Sequence, residues 1–303
     1  EFRAEMTVGG NGVLALAWSG VVDGQVVAVA SAEMPQRDNR SVLWFDLHVH
    51  PEHRGRGHAT AMLAHLEQVA HEHGRTLLQT ETAFPYAAPA DGAGQPAVEF
   101  LRRRGFELGI GDVQRVLDLP ADDELLRRLA AEAEPHHRDY AIRQFCGPVP
   151  SDIVHSFGEL IGSLMTEAPT GAMEVEREVF DEDRIRADET KFVASGRTKY
   201  TTVAIARDGS VAAYSELVVP AHDPGRVYQW GTLAHPDHRG HRLGLATKTR
   251  NLLWLQQQRP DLKRLVTYNA EVNRHMIGVN EQMGFRPTER LGEFQKRLAA
   301  ATA

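Results

Sequence analysis

The chain has 303 residues, enough for two compact units at roughly 150 residues each. Hydrophobic residues make up 42% and charged residues 25%, so each unit can bury a core, and 34 Lys and Arg against 41 Asp and Glu argue against nucleic acid as the main partner. No apolar run approaches the ~18 residues of a membrane span, and a lone cysteine, Cys146, excludes an internal disulfide and a cysteine-rich zinc site. A cytoplasmic protein with no nucleic-acid or membrane partner, monomeric or homodimeric, is the expectation.

In chain order, apolar alternation predicts a hairpin around Leu14 to Trp18 and Val26 to Ala32, then a strand from Val42 to Val49. A glycine-rich turn over residues 54–59 leads into an amphipathic helix carrying Met62, Leu63, Leu66 and Val69, which stops at Gly74. A strand at Thr76 to Thr80 and a short helix ending at Gly105-Phe106 follow. Pro120 and an acidic first turn open a helix with Leu125, Leu126 and Leu129, and Glu134 to His137 reads as a linker.

Tyr140 to Phe145 reads as a strand, and Pro150-Ser151-Asp152 as the cap of a helix whose apolar side holds Ile153, Phe157, Leu160 and Leu164. A second helix is expected within Met173 to Thr190. Tyr200 to Ala206 and Val211 to Val219 form a hairpin through Asp208-Gly209. Val227 to Ala234 is a strand, Leu245 to Leu255 lies on a helix that ends before Pro260, Arg264 to Tyr268 is a strand, and a short helix ends at Gly284-Phe285.

The chain repeats itself. His50-Pro51-Glu52-His53-Arg54-Gly55 recurs as His235-Pro236-Asp237-His238-Arg239-Gly240, each copy between a strand and a helix. A period this long marks two duplicated domains, not a solenoid. Residues 1–118 form the first, 119–139 a connecting helix region and 140–303 the second. The first is the shorter before its motif, as if its first strand and helices were missing.

A strand feeding a glycine-rich turn at a helix N-terminus aims backbone N–H groups and the helix dipole at one point, which suits a diphosphate. The turn lacks the Lys-Ser/Thr of a P-loop, and Thr60 stands where a dinucleotide fingerprint needs its third glycine. Arg54, Gly57 and Ala59, with Val49-His50-Pro51 before them, match the Arg/Gln-x-x-Gly-x-Gly/Ala turn of the GNAT acyltransferases. Asn273, Gly284 and Phe285 match that family's second landmark. The whole chain resembles the tandem GNAT proteins of actinobacteria and, more distantly, mycothiol synthase in architecture.

That resemblance implies an α/β fold of two tandem domains, each a mixed, mostly antiparallel sheet flanked by helices. It also implies an N-acetyltransferase in which the amine of a small molecule attacks acetyl-CoA directly. The pantetheine arm would lie along Leu47, His48 and Val49, or along Thr232, Leu233 and Ala234. The diphosphate would sit on Arg54, Gly55, Arg56, Gly57, His58 and Ala59, or on Arg239, Gly240, His241, Arg242, Leu243 and Gly244, with Asn273 beside the second turn. A backbone N–H near the splayed strand would polarise the carbonyl. Non-catalytic acyl-CoA sensing and protein N-acetylation are the alternatives.

Each half departs from the family pattern. Gly94 stands where the second half has Asn273, and Arg242 replaces the glycine supplied by Gly57. Leu101 and Asn280 occupy the place of the usual tyrosine acid. The second half keeps the segments that wall an acceptor site, so catalysis is expected there, with Glu216 and then Glu271 as base, Asn280 at the acid position, and Tyr228 and Gln229 lining the acceptor. The histidines near both motifs lack a carboxylate set, so no metal is expected. Cys146 is expected to be a buried structural thiol.

Overall fold

The computed structural model describes residues 12–299. In the first half β1 (Val13–Val22) and β2 (Gln25–Pro35) form a hairpin whose turn residues Asp23 and Gly24 both have positive φ, a turn whose twist suits paired strands. β3 (Val42–Val49), α1 (His58–Glu72) and β4 (Leu77–Pro85) make a strand–helix–strand unit, followed by α2 (Pro96–Arg102) and β5 (Glu107–Asp118). α3 (Asp123–Ala133) starts at Asp122, whose carboxylate accepts from the N–H groups of Glu124 and Leu125. α3 packs Leu126 and Leu129 into one core with Leu252 and Leu255.

The second half runs β6 (Ala141–Cys146), α4 (Val154–Gly162), α5 (Leu164–Glu167), α6 (Glu182–Ala194), β7 (Arg197–Ile205), β8 (Val211–Pro220), β9 (Arg226–Ala234), α7 (Leu243–Gln258), β10 (Arg264–Ala270), α8 (Arg274–Gln282) and β11 (Arg286–Arg297). Three local expectations change. α4 begins after Ile153 with no side-chain cap, because Asp152 is drawn to Arg143 at 2.6 Å. The helix expected within Met173 to Thr190 starts at Glu182, capped by Asp181, and runs past Thr190 to Ala194. Cys146, at the end of β6, is exposed.

The eleven strands of the described residues join one sheet in the order β1-β2-β3-β4-β11-β5-β10-β9-β8-β7-β6. The last strand of each half is exchanged: β11 lies between β4 and β5, and β5 pairs with β10. A cut at residues 118 and 140 therefore divides the chain but not the sheet. Pairing is antiparallel except at β3–β4 and β9–β10. β8 shows how the two faces are covered: Leu217 and Val219 pack with α7, and Tyr214 packs with Phe157 of α4.

A strap over residues 168–181 ties the second half to the first. Ala172 N–H donates to the Gly109 carbonyl at 2.9 Å, and Gln79 and Gln295 donate to the carbonyls of Glu174 and Ala172. Asn39 and Glu176 exchange two hydrogen bonds, and Arg184 holds Asp38 at 2.6 Å and Glu178 at 2.9 Å. These partners engage the strap in place of helical hydrogen bonds, so its polar backbone groups are satisfied without a helix ahead of α6.

Candidate active site

Both parallel strand pairs splay. β9 and β10 pair only at Arg226–Arg264, Val227–Leu265 and Tyr228–Val266, and β3 and β4 only from Val42–Leu77 to Trp44–Gln79. Beyond those points a wedge opens and one backbone edge of the motif strand is left without a strand partner.

The two wedges differ in one respect. Ser215 faces Thr232 and Leu217 faces Gln229, so Glu216 alone stands opposite Trp230 and Gly231, a β-bulge on β9. The ladder from β2 to β3 runs from Ala28–Val49 to Glu33–Trp44 with no such break. Gln229 locks the bulge: its amide donates to the Glu216 carbonyl at 2.7 Å and to Ser215 Oγ at 3.1 Å. Gly231 is required there, because a Cβ would come within 2.4 Å of Tyr214 Oη.

Each motif strand ends in a matching turn. His235 Nδ1 accepts from the Asp237 N–H, as His50 Nδ1 does from Glu52, and one 3-10 turn follows in each case. Gly57 has φ 88° and Arg242 has φ 51° immediately before α1 and α7. A non-glycine residue in this left-handed region costs roughly 1 kcal/mol. Open space surrounds the Cβ position of Gly57, so the fold itself has room for a side chain at this place.

A cleft of about 980 Å³ opens at the second turn. Thr232, Leu233 and Ala234 of β9 line it, as do Arg239, Gly240 and Arg242 of the turn. Leu243 and Gly244 of α7 and Asn273 before α8 complete that side, and Leu129 and Glu132 of α3 face them. His241 lies outside, with Nδ1 3.0 Å from the His136 carbonyl oxygen. Both arginines are already engaged: the Glu167 carboxylate holds Arg239 at 2.6 Å, and Arg242 donates to the Glu132 backbone carbonyl at 3.4 Å.

The first half offers a hollow of about 630 Å³ lined by Trp18, Asp46 and His48, on the sheet and not at the turn. Leu47, Val49, Arg54, Gly55, Arg56, Gly57, His58 and Ala59 lie outside it, and Arg54 Nε donates back to the Val49 carbonyl at 3.3 Å.

Several candidate residues turn out to be engaged elsewhere. Glu216 is buried 3.0 Å from Lys199 Nζ. Glu271 is ion-paired with Arg290, and its N–H donates to Gly111 of the exchanged strand β5. Asn280 has no exposure; it accepts from Lys248 Nζ at 2.7 Å and donates to Asn269 Oδ1, so it cannot reach a leaving thiolate. Gln229 is buried in the bulge and does not line an acceptor site, whereas Tyr228 Oη accepts from Arg226. Asn273 caps α8 by accepting from the Met276 N–H at 3.2 Å.

Between the wedges, on one face, stand Asp46, Glu81, Asp112 and Glu293. Glu293 is directly opposite Glu81 across β4 and β11. Burial, with Asp46 and Asp112 close by, raises Glu81 to about 7; burial with Asp112 and Glu81 does the same to Glu293. Burial also lifts Asp112 to about 6. Nothing in the local sequence marks this group, because the strand exchange assembles it. Lys248 was legible in principle: it keeps helical spacing with the buried Leu245 and Leu252. Among the described residues no group of His, Cys, Asp and Glu is placed to hold a metal ion.

Residues 11–106 match the Acetyltransferase (GNAT) family. The match lies within the first half, and the whole chain has the fold of a tandem GNAT protein. It is similar to a tandem GNAT protein from the clavulanic acid biosynthesis pathway, with 24% identity, a TM-score of 0.76, and coverage of 100% of this chain and 88% of that one. A GCN5-related N-acetyltransferase from Sphaerobacter thermophilus is 14% identical with a TM-score of 0.63, over 94% and 83% of the two chains. A glucosamine N-acetyltransferase region of a fungal multi-domain GH3 beta-N-acetylglucosaminidase is 12% identical with a TM-score of 0.61, over 97% of this chain and 34% of that one. No curated protein matches the sequence. The GNAT match supports acyl-CoA-dependent acyl transfer. It falls on the half with the complete glycine turn, whereas the bulge and the large cleft fall on the other.

Proposed function

We propose that the protein transfers an acetyl group from acetyl-CoA to a primary amine of a small molecule, and that the second half performs the transfer. The observation that carries this reading is the bulge at Trp230 and Gly231 beside an open strand edge that runs to the cleft at the start of α7. The first half has the wedge without the bulge.

The residues present fit acetyl-CoA. The free edge of Thr232, Leu233 and Ala234 can pair with amides of a pantetheine arm. The first N–H groups of α7 with the guanidinium of Arg242 suit a diphosphate. When bound, acetyl-CoA supplies an activated acyl carbonyl. The chain's part is to orient that carbonyl, to offer it a backbone N–H at the bulge and to manage the proton of the incoming amine.

For the base, Glu81 and Glu293 suit the task better than Glu216 and Glu271. The latter two are held in ion pairs. A carboxylate poised near 7 takes a proton efficiently at neutral pH, and an acidic group attracts an ammonium. Tyr268 sits within the electrostatic reach of both Tyr228 and Glu81, which links this group to the second wedge.

The test is to mix purified protein with acetyl-CoA and a panel of small amines and to follow free thiol together with acetylated product. Matched release of thiol and product supports the reading. Tight coenzyme A binding with no turnover on any amine would make the protein a sensor. Acetyl label appearing only in proteins of a lysate would move the acceptor to protein amines.

A further inference from the structure

A buried lysine stands behind the wall of the cleft. Gly244 and Leu245 line the cleft, and Lys248 follows them by four and three residues on α7. Helical side chains lean toward the N-terminus, so Lys248 extends back over the turn that carries Gly244. It is 1% exposed. Its Nζ donates to Asn280 Oδ1 at 2.7 Å and lies 5.4 Å from the centre of the Phe285 ring.

Asn280 follows Val279, another residue of the cleft wall, and is bound to Asn269 on β10, beyond the last pair that joins β10 to β9. The network therefore spans from the cleft wall to the open wedge. It places a lone amine beside Asn280, between the cleft wall and the wedge.

Its surroundings are neutral. α8 presents the Asn280 amide, β10 the Asn269 amide and the turn before β11 an aromatic ring. No ion pair joins Lys248 among the described residues, and no charged group of α7 or its neighbours acts on it. An ammonium has three N–H donors and finds one acceptor here. Burial alone brings the amine down to about 7.

We propose that Lys248 stores charge for the acyl-CoA site, taking up a proton when the anionic ligand fills the cleft and holding that charge behind the wall where thiolate character develops. The inference rests on the cleft being the coenzyme A site. A cation shielded from water stabilises nearby negative charge far more than an exposed one does. By linkage, an anion favoured by the protonated lysine raises the lysine's proton affinity by the same factor. Lys248 is a positioning residue in this sense, for it need not touch the ligand.

The experiment is calorimetric titration of the full chain with coenzyme A at pH 7.5, in buffers of differing ionisation enthalpy. Net proton uptake is expected, and Lys248→Met should lose it while affinity at pH 6.5 falls about tenfold. Asn280→Asp, which sets a carboxylate beside the amine and protonates it in advance, should bind coenzyme A without uptake. Thermal melts establish that each variant is folded. Uptake that persists in Lys248→Met, or binding by the wild-type chain with no uptake, overturns the proposal while leaving the cleft as the coenzyme A site. Failure of coenzyme A to bind at all overturns the cleft reading and this one with it. Should Lys248→Met not fold, wild type against Asn280→Asp decides.

Discussion

Glu167 Oε2 lies 2.6 Å from Arg239 Nη2, at the cleft that opens on the second motif turn. Glu167 ends α5, and the strap that begins after it runs to Asp38 and Asn39 in the first half. The motif guanidinium of Arg239 is thus already paired with a carboxylate carried by the element that joins the halves.

If the proposed coenzyme A diphosphate binds Arg239, it displaces that carboxylate. Glu167→Gln should strengthen coenzyme A binding severalfold, a modest gain because Arg239 is half exposed. Calorimetry checks it. Unchanged affinity would mean that Arg239 does not contact the ligand.

The two turns give opposite expectations. Arg242→Glu should cut coenzyme A affinity at least about tenfold, since it places an anion where the helix start and guanidinium favour one. Gly57→Glu in the first half should leave the larger part of binding intact. The reverse ranking, read from paired titrations, would move the site to the first half.

The bulge should be separable from the fold. Gln229→Leu removes the amide that donates to the Glu216 carbonyl and Ser215 Oγ, leaving the Glu216 carbonyl without that donor. The expected result is a fall in kcat with coenzyme A affinity kept and stability reduced by about 1–3 kcal/mol. Gly231→Ala should be the more destabilising of the two in a denaturant melt, because its Cβ meets the buried Tyr214.

Acidity should stabilise the chain through the facing carboxylates. Glu81 and Glu293 sit at about 7 in the fold, above the ordinary 4.5. A raised carboxyl contributes stability fully below its unfolded value and loses it as pH rises through the folded one. The melting temperature should therefore rise on going from pH 8 toward pH 5.5. Glu81→Gln with Glu293→Gln should flatten that rise, and an unaltered slope would place its origin elsewhere.

Loss of the α8 cap is the simplest stability test. Asn273→Ala should cost about 1 kcal/mol in a denaturant melt, since the side chain accepts from the Met276 N–H. Asn273 also lines the cleft, so weakened coenzyme A binding beyond that structural cost would mark a second role.

Much of the site was legible because it is local. Strand, proline turn, glycine or arginine at positive φ and helix start are contiguous in residues 49–58 and 234–243, and the spacing reads directly as a helix N-terminus. The bulge was not legible: Gln229 reads as one more polar residue of a strand until its amide is seen facing Glu216 and Ser215. Position along the strand and helix points to Glu216 and Asn280, but their contacts with Lys199 and Lys248 bury both away from the cleft surface.

By itself the amino-acid order determined two copies of one strand–turn–helix unit and most of the elements around them, since period and turn residues act between neighbours; the mostly antiparallel sheet was an expectation of the family resemblance. Only the tertiary structure decided that β5 and β11 change places, and hence that Glu81 meets Glu293. Alternation along a strand states which face is buried and leaves the neighbouring strand open, and that choice is made when the cores of both halves close over one sheet.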